Sequence, residues 1–297
     1  MKSLLFITTS NGVYVLDTES GKSKCFLGNK HTPGFFKKKA RGYFGITFHK
    51  KSGKIIVASR EKLGTKRHNK PTTDTKLHAI NPATLQYEQI ATVLDTHDVH
   101  QITSDEDLIY ITDTGKNRVV VYNLDSQSIV KLVNVGTVRD DINHINAVLI
   151  HDDELLIGLN NRGNESEILH VKISDIFKTD DHQVDAKDIG TISAIKDVTH
   201  SHDLEICGDM LVCCSSHNGQ VINTETAEVL IKENLWVRGL AANESCIWAG
   251  ESFITTRKQR HNKSIDGYIH EYSLDDYSTI NTYTLTNSGQ VNDLIII

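Results

Sequence analysis

Proline is nearly missing from this chain, with three in 297 residues. So few prolines, and no low-complexity tract, exclude long stiff linkers and disordered tails. Cysteine is sparse and odd in number: Cys25, Cys207, Cys213, Cys214 and Cys246. No two of them have CxxC spacing, so neither a zinc ribbon nor a redox pair is expected. They read as reduced core thiols of a reducing compartment. Long apolar runs are absent too, and nothing approaches the ~20 residues a membrane helix needs. The opening MKSLLFITTSNGVYVL is interrupted at Thr8, Thr9, Ser10 and Asn11 and has no small-residue cleavage site, unlike a signal peptide. The expectation is a soluble, cytoplasmic protein with no membrane partner. Helical periodicity is scarce as well, ISDIFKT (173–179) being the best example and a short one.

What is present is β-strand alternation. The stretch HQITSDEDLIYITDTGKNRVVVYNLDSQSIVKLVNVG (100–136) divides into strands near 100–104, 108–113, 117–123 and 128–135, parted by SDED, TGK and DSQ. Four short strands joined by tight polar turns, in a unit of roughly 40–50 residues, mark a propeller blade. The first strand of the unit recurs as a triplet of polar residue, any residue and aliphatic residue. It is His100-Gln101-Ile102, Asn146-Ala147-Val148, His202-Asp203-Leu204, Arg238-Gly239-Leu240 and Asn292-Asp293-Leu294, with Phe44-Gly45-Ile46 a weaker sixth.

After the last triplet only three residues remain, too few to finish a blade. The N-terminal SLLFITTS, GVYVLDT and KSKCFLG are three strands lacking an innermost partner. The reading is therefore an all-β, six-bladed β-propeller of four-stranded blades, closed by three N-terminal strands and the C-terminal strand. One domain, 1–297, is expected, with blades near 42–95, 98–138, 144–190, 200–234, 236–288, and 290–297 with 1–30.

The run LIYITDTGKNRVVVYNL resembles the NHL-type repeat over Ile109 to Leu124, where an aspartate, a glycine and an NRV run mark the second and third strands. The whole chain is similar to the six-bladed superfamily of gluconolactonase-like and strictosidine-synthase-like enzymes. It most resembles a poorly characterised bacterial propeller family with an RGLA…GES blade, here Arg238–Ala241 and Gly250–Ser252. The gluconolactonase-like resemblance implies a channel site of carboxylates and asparagines, from which this chain departs in its histidines.

Alternation with period two predicts that each triplet's polar member shares its orientation with the residue two before it. The pairs are Gly42/Phe44, Asp98/His100, His144/Asn146, His200/His202, Trp236/Arg238 and Gln290/Asn292. They should form a polar ring at the channel mouth. His100, His144, His200 and His202 are candidate ligands for a divalent metal (Mn, Fe, Ni or Zn), with Asp98, Asn146 or Asn292 in support. The same imidazoles suit general acid–base work, so His100, His202 and Glu251 are the candidate catalytic residues. Glu251 is expected to face Arg238.

The formal net charge is −6, which with sparse aromatics speaks against nucleic acid. Yet FKKKAR (36–41), REKLGTKRHNK (60–70) and RKQRHNK (257–263) hold 13 of the 32 Lys and Arg. By the blade assignment all three border the same face. There Arg60, Tyr43, Trp236, Arg238, Arg257 and Asn292 are candidates to hold an anionic small molecule or glycan. Three readings stay open: a metal-assisted lyase, hydrolase or isomerase acting on an anionic saccharide or small acid; a binding propeller without turnover; and a protein-interaction scaffold.

Overall fold

The computed structural model describes residues 3–28, 41–61, 73–136, 141–253 and 265–297. It is a six-bladed β-propeller. The innermost strands are Arg41–His49, Ile102–Asp105, Ile145–His151, Ser201–Cys207, Trp236–Ala242 and Val291–Ile296, numbered here as blades 1 to 6. Each contacts the innermost strand of the next blade, and blade 6 contacts blade 1. Val291–Ile296 is the inner partner of Leu4–Thr9, in the register Leu5↔Ile296 to Thr8↔Asp293.

Blade 2 carries a fifth strand that the sequence did not announce. Gln183–Asp185 runs parallel to Ser128–Asn134, brought there by the connection that follows the four-residue helix Ile173–Ile176. Blade 3 is completed on its outer side by Gly190–Thr199. The run ISDIFKT thus forms a single helical turn, as its brevity suggested.

Period-two alternation gives each blade two apolar faces, and those faces meet between blades. The described residues form six apolar clusters, one for each blade junction. Phe6 and Val13 of blade 6 pack with Ile46 and Val57 of blade 1, and Leu5 and Ile7 on the other face pack with Trp248 and Ile269 of blade 5. The aliphatic member of every triplet is buried in one of these junctions. All five cysteines are free thiols, three of them buried.

The middle residue of each triplet, which the pattern left open, alternates around the ring. It is Gly45, Ala147 and Gly239 in blades 1, 3 and 5, and Gln101, Asp203 and Asp293 in blades 2, 4 and 6. The inner strands present backbone N–H groups toward the axis with no further strand to receive them. Each long middle side chain reaches forward to one. Gln101 Oε1 accepts from the Val148 N–H (3.0 Å), Asp203 Oδ2 from Gly239 (2.7 Å) and Asp293 Oδ2 from Ile46 (3.1 Å). Gln101 also donates through Nε2 to Asp293 Oδ1 at 3.4 Å, spanning blade 1.

The ends of the second strands form another ring of forward links. Arg60 Nε donates to Val99 O (3.0 Å), Thr114 Oγ1 to Ile145 O, Asn160 Nδ2 to Ser201 O (3.0 Å) and Ser216 Oγ to Val237 O (2.8 Å). Ser252 Oγ accepts from the Val291 N–H (2.9 Å), and Thr8 Oγ1 donates to Phe44 O. Every junction is therefore bonded at the strand ends as well as packed.

A glycine is required in blade 1 because a Cβ on Gly45 would lie 2.4 Å from the Ile102 backbone nitrogen. Gly45→Ala is expected to cost roughly 3 kcal/mol, since overpacking against main chain cannot relax through a rotamer change. Gly53→Ala, in a turn with nothing within 4 Å, is expected to cost only about 1 kcal/mol of left-handed backbone strain. Urea midpoints of the two variants compare them, and equal losses would contradict the close approach.

Candidate functional site

Five of the six innermost strands carry a register shift at or beside their triplet: Tyr43/Ile46, Ile145/Ala147, His202/Leu204 and Val237/Leu240, and in blade 6 opposite Thr8/Thr9. Such bulges re-aim side chains. The residue two before the polar member is moreover left-handed in blades 2, 3 and 4, at Asp98 (φ 64°), His144 (φ 48°) and His200 (φ 57°). Period two therefore does not carry backwards across this point, and orientations inferred by it need correcting.

Three of the four imidazoles nevertheless meet. His100 lies 5.4 Å from His144 and 6.3 Å from His202, ring centre to ring centre, and Phe44 is 6.3 Å from His100. His200 does not share this group with His202. Its ring stacks on His217 at 4.1 Å, and His217 in turn meets the edge of Trp236 at 5.1 Å. The exposed ring of His217 is a rim group that no motif marked.

His202 is held in one tautomer. Arg238 Nη2 donates to its Nε2, and its Nδ1–H faces His200 O and Ser216 Oγ, both at 3.0 Å. The Nε2 lone pair is thereby occupied by a guanidinium. Burial first, then Arg238 and the neighbouring His100 and His144, keep His202 neutral, well below the usual histidine range. His100 is lowered in the same way, chiefly by burial and in spite of Asp98, whose Oδ1 lies 3.6 Å from His100 Nε2. His144 Nδ1 meets Asp141 Oδ1 at 2.9 Å.

The two arginines differ in their counter-ions. Arg60 pairs with Asp98 at 2.5 Å and lays its guanidinium 3.9 Å over the Phe44 ring. Arg238 makes no ion pair within 4.0 Å among the described residues; its guanidinium sits 4.8 Å over Trp236. Burial pushes its pKa down to about 10. Buried polar atoms with no hydrogen-bond partner among the described residues gather in these same strands: His100 Nε2, Asn146 Oδ1, Arg238 Nε, Gln290 Nε2 and Asn292 Oδ1.

Other candidates are placed differently from expectation. Asn292 Nδ2 donates to Tyr43 O at 2.6 Å and Asn146 Nδ2 to Ser201 O at 2.8 Å, so both amides close blade junctions. The Tyr43 ring is buried in the blade 6–blade 1 core and lies 6.1 Å from His78. Asp113 accepts from His97 N (2.6 Å) and pairs with Arg118 Nε (2.8 Å), which accounts for the aspartate and arginine of the NHL-like run. Arg257 and nearly all of the three basic loops lie outside the described residues.

Glu251 does not pair with Arg238. Its Oε2 meets His270 Nε2 at 3.0 Å, and its Oε1 accepts from Leu235 N at 2.8 Å. Glu233, on the connection from blade 4 to blade 5, joins them, so that one ligand atom from each of Glu233, Glu251 and His270 lies within 4.8 Å of the others. Among the described residues this is the only trio of His, Cys, Asp or Glu so arranged, and the four mouth histidines supply none. His270 and Glu233 had no sequence signal, because the three residues come from separate segments.

No protein-family model matches the chain, and no curated protein matches its sequence. Solved structures do match its shape. A structure described as a nidogen/laminin complex superposes with a TM-score of 0.66 over 99% of this chain and 98% of that one, at 11% identity. A protein of unknown function from Bacteroides caccae gives 0.62 over 100% and 99%, at 10% identity. Likeness at this level is one of fold. Among the described residues, no helix is long and apolar enough to cross a membrane.

The lowered histidines set a pH dependence. A base whose pKa is lower folded than unfolded contributes stability above the unfolded value, near 6.5, and that stability is lost as pH falls toward the folded value. The unfolding free energy is expected to fall between pH 7 and 5 by up to about 1.4 kcal/mol per pH unit for each of His100 and His202. The double variant H100Q/H202Q should flatten this slope. Imidazole NMR signals of both residues already protonated at pH 6.5 would contradict it.

Proposed function

We propose that this propeller binds a small carboxylate-bearing, polyhydroxylated molecule, such as an anionic saccharide, at the end of the axis where Arg238, His100 and His202 meet. The observation that carries the reading is the buried Arg238 guanidinium, which has no carboxylate within 4.0 Å among the described residues. Asp203 and Asp98 favour its charged form only from beyond contact distance, and a ligand carboxylate supplies the direct, hydrogen-bonded partner that a buried guanidinium favours. Trp236 beneath the guanidinium fixes its plane. The neutral imidazoles add no competing charge, and His100 Nε2, Asn146 Oδ1 and Asn292 Oδ1 offer acceptors that ligand hydroxyls satisfy.

Turnover by a metal-dependent lyase or hydrolase is a second reading, resting on the convergence of His100 with His144 and His202. It requires Arg238 to leave His202 Nε2 so that this nitrogen can serve as ligand or base. The binding reading needs no such rearrangement and uses the geometry as it stands.

Calorimetric titration with glucuronate and galacturonate, beside the neutral parent sugars, tests the proposal. The acids should bind and the neutral sugars should not. R238Q should weaken binding by at least 30-fold, in line with the roughly 2–5 kcal/mol of a lost buried charge pair. Equal affinity for acid and neutral sugar, or an unaffected R238Q, would remove Arg238 as the anchor.

A further inference from the structure

Away from the axis, the junction of blades 4 and 5 holds a group that the binding reading does not use. Glu251 comes from the second strand of blade 5, Cys246–Ser252, and His270 from the third, Gly267–Ser273. Glu233 comes from the connection after the outer strand of blade 4, Val229–Lys232. The Glu233 backbone is fixed by its N–H donating to Gly219 O at 2.7 Å. Glu251 and His270 are nine-tenths buried, and Glu233 is half-buried.

Each side chain has an atom held by a group outside the trio. His270 Nδ1 meets Thr282 Oγ1 at 3.1 Å, Glu251 Oε1 takes the Leu235 amide, and Glu233 Oε1 takes the Tyr272 hydroxyl. This leaves His270 Nε2 and Glu251 Oε2 facing each other at 3.0 Å, with Glu233 beside them. Ligands oriented in this way are the arrangement that outer partners give to metal centres.

We infer that Glu233, Glu251 and His270 form a binding site for a divalent transition metal such as Zn²⁺. One nitrogen and two carboxylate oxygens, with water filling the remaining position, suit Zn²⁺ or Mn²⁺ better than Ca²⁺, which prefers an all-oxygen shell. The ion takes the place of the proton shared between His270 and Glu251. Because its ligands come from two blades, it ties the blade 4–blade 5 connection to blade 5.

Equilibrium dialysis of the chelator-stripped full chain against Zn²⁺, with elemental analysis, should give one ion per chain, and Ca²⁺ none. E233Q, at a half-buried position where folding is not at risk, should weaken uptake at least 100-fold, and E251Q likewise. Y272F, which removes only a positioning hydroxyl, should weaken it about 10-fold. The H100Q/H144Q pair should retain the full equivalent, as should R238Q, whose failure to bind acids is a separate result. Far-UV circular dichroism confirms folding of each variant. The assignment is overturned if the stripped protein takes up no Zn²⁺. It is equally overturned if uptake survives E233Q and disappears in H100Q/H144Q, which moves the ion to the axis.

Discussion

Closing six sheets about an axis leaves six inner strand edges whose N–H groups have no further strand to meet. This fold answers with side chains passed from each even blade to the next odd one. Gln101, Asp203 and Asp293 cap the amides of Val148, Gly239 and Ile46, and the odd blades keep Gly45, Ala147 and Gly239 small at the matching position. The two requirements fall on opposite sides of each odd blade. Gly45 and Gly239 let their strands approach the backbone of the following even blade, at Ile102 and Asp293, while the amides of Ile46 and Gly239 are capped from the preceding even blade. Two of the three capping groups are carboxyls buried together, and burial and the proximity of Asp203 hold Asp293 well above its usual range, while burial raises Asp203 also. Asp203, raised to about 6, keeps its negative charge at neutral pH and favours the charged form of the buried Arg238.

The chemistry of the mouth follows from how the strands enter this ring. Bulges at the triplets and left-handed residues at 98, 144 and 200 turn the chain as it reaches the axis. That turn separates His200 from His202 and sends the former to the rim beside His217. It also gives the polar triplet members two kinds of work. The asparagines 146 and 292 spend their amide hydrogens on the next blade, whereas Arg238 spends one on His202 and feels Asp203 and Asp98 only from beyond contact distance.

Much of the architecture was legible in the sequence because strands and turns are local. The strands expected at 108–113 and 117–123 are found at Leu108–Asp113 and Arg118–Asn123, and the triplet spacing marked all six inner strands. The strand Gln183–Asp185 was not legible, since it pairs with a blade some fifty residues earlier and only tertiary contact decides that. The triplet's middle residue was passed over because its alternation, small then long, becomes meaningful only once blades are set side by side. The convergence of His100, His144 and His202 was legible from position in the repeat. The orientation of His200 was not, because period two presumes an unbroken strand. Glu251 was expected to face Arg238, but its partner His270 lies across a strand pair that sequence spacing cannot reveal.

The misplaced pairing of Glu251 with Arg238 still contains a physical connection. Glu251 Oε1 holds the amide of Leu235, and the next residue is Trp236, whose ring lies under the Arg238 guanidinium and against His217. Val237 O, one residue further, is fixed by Ser216 Oγ, which also meets His202. Four consecutive residues, 235 to 238, are therefore clamped from both sides, by the blade 4–blade 5 trio through Leu235 and by the mouth through Ser216 and His202. A change in what Glu251 binds alters the anchor of the segment that presents both the aromatic floor and the buried charge. The two groups are adjacent along the chain even though they share no contact, and the inner strand of blade 5 is the rigid element that relates them.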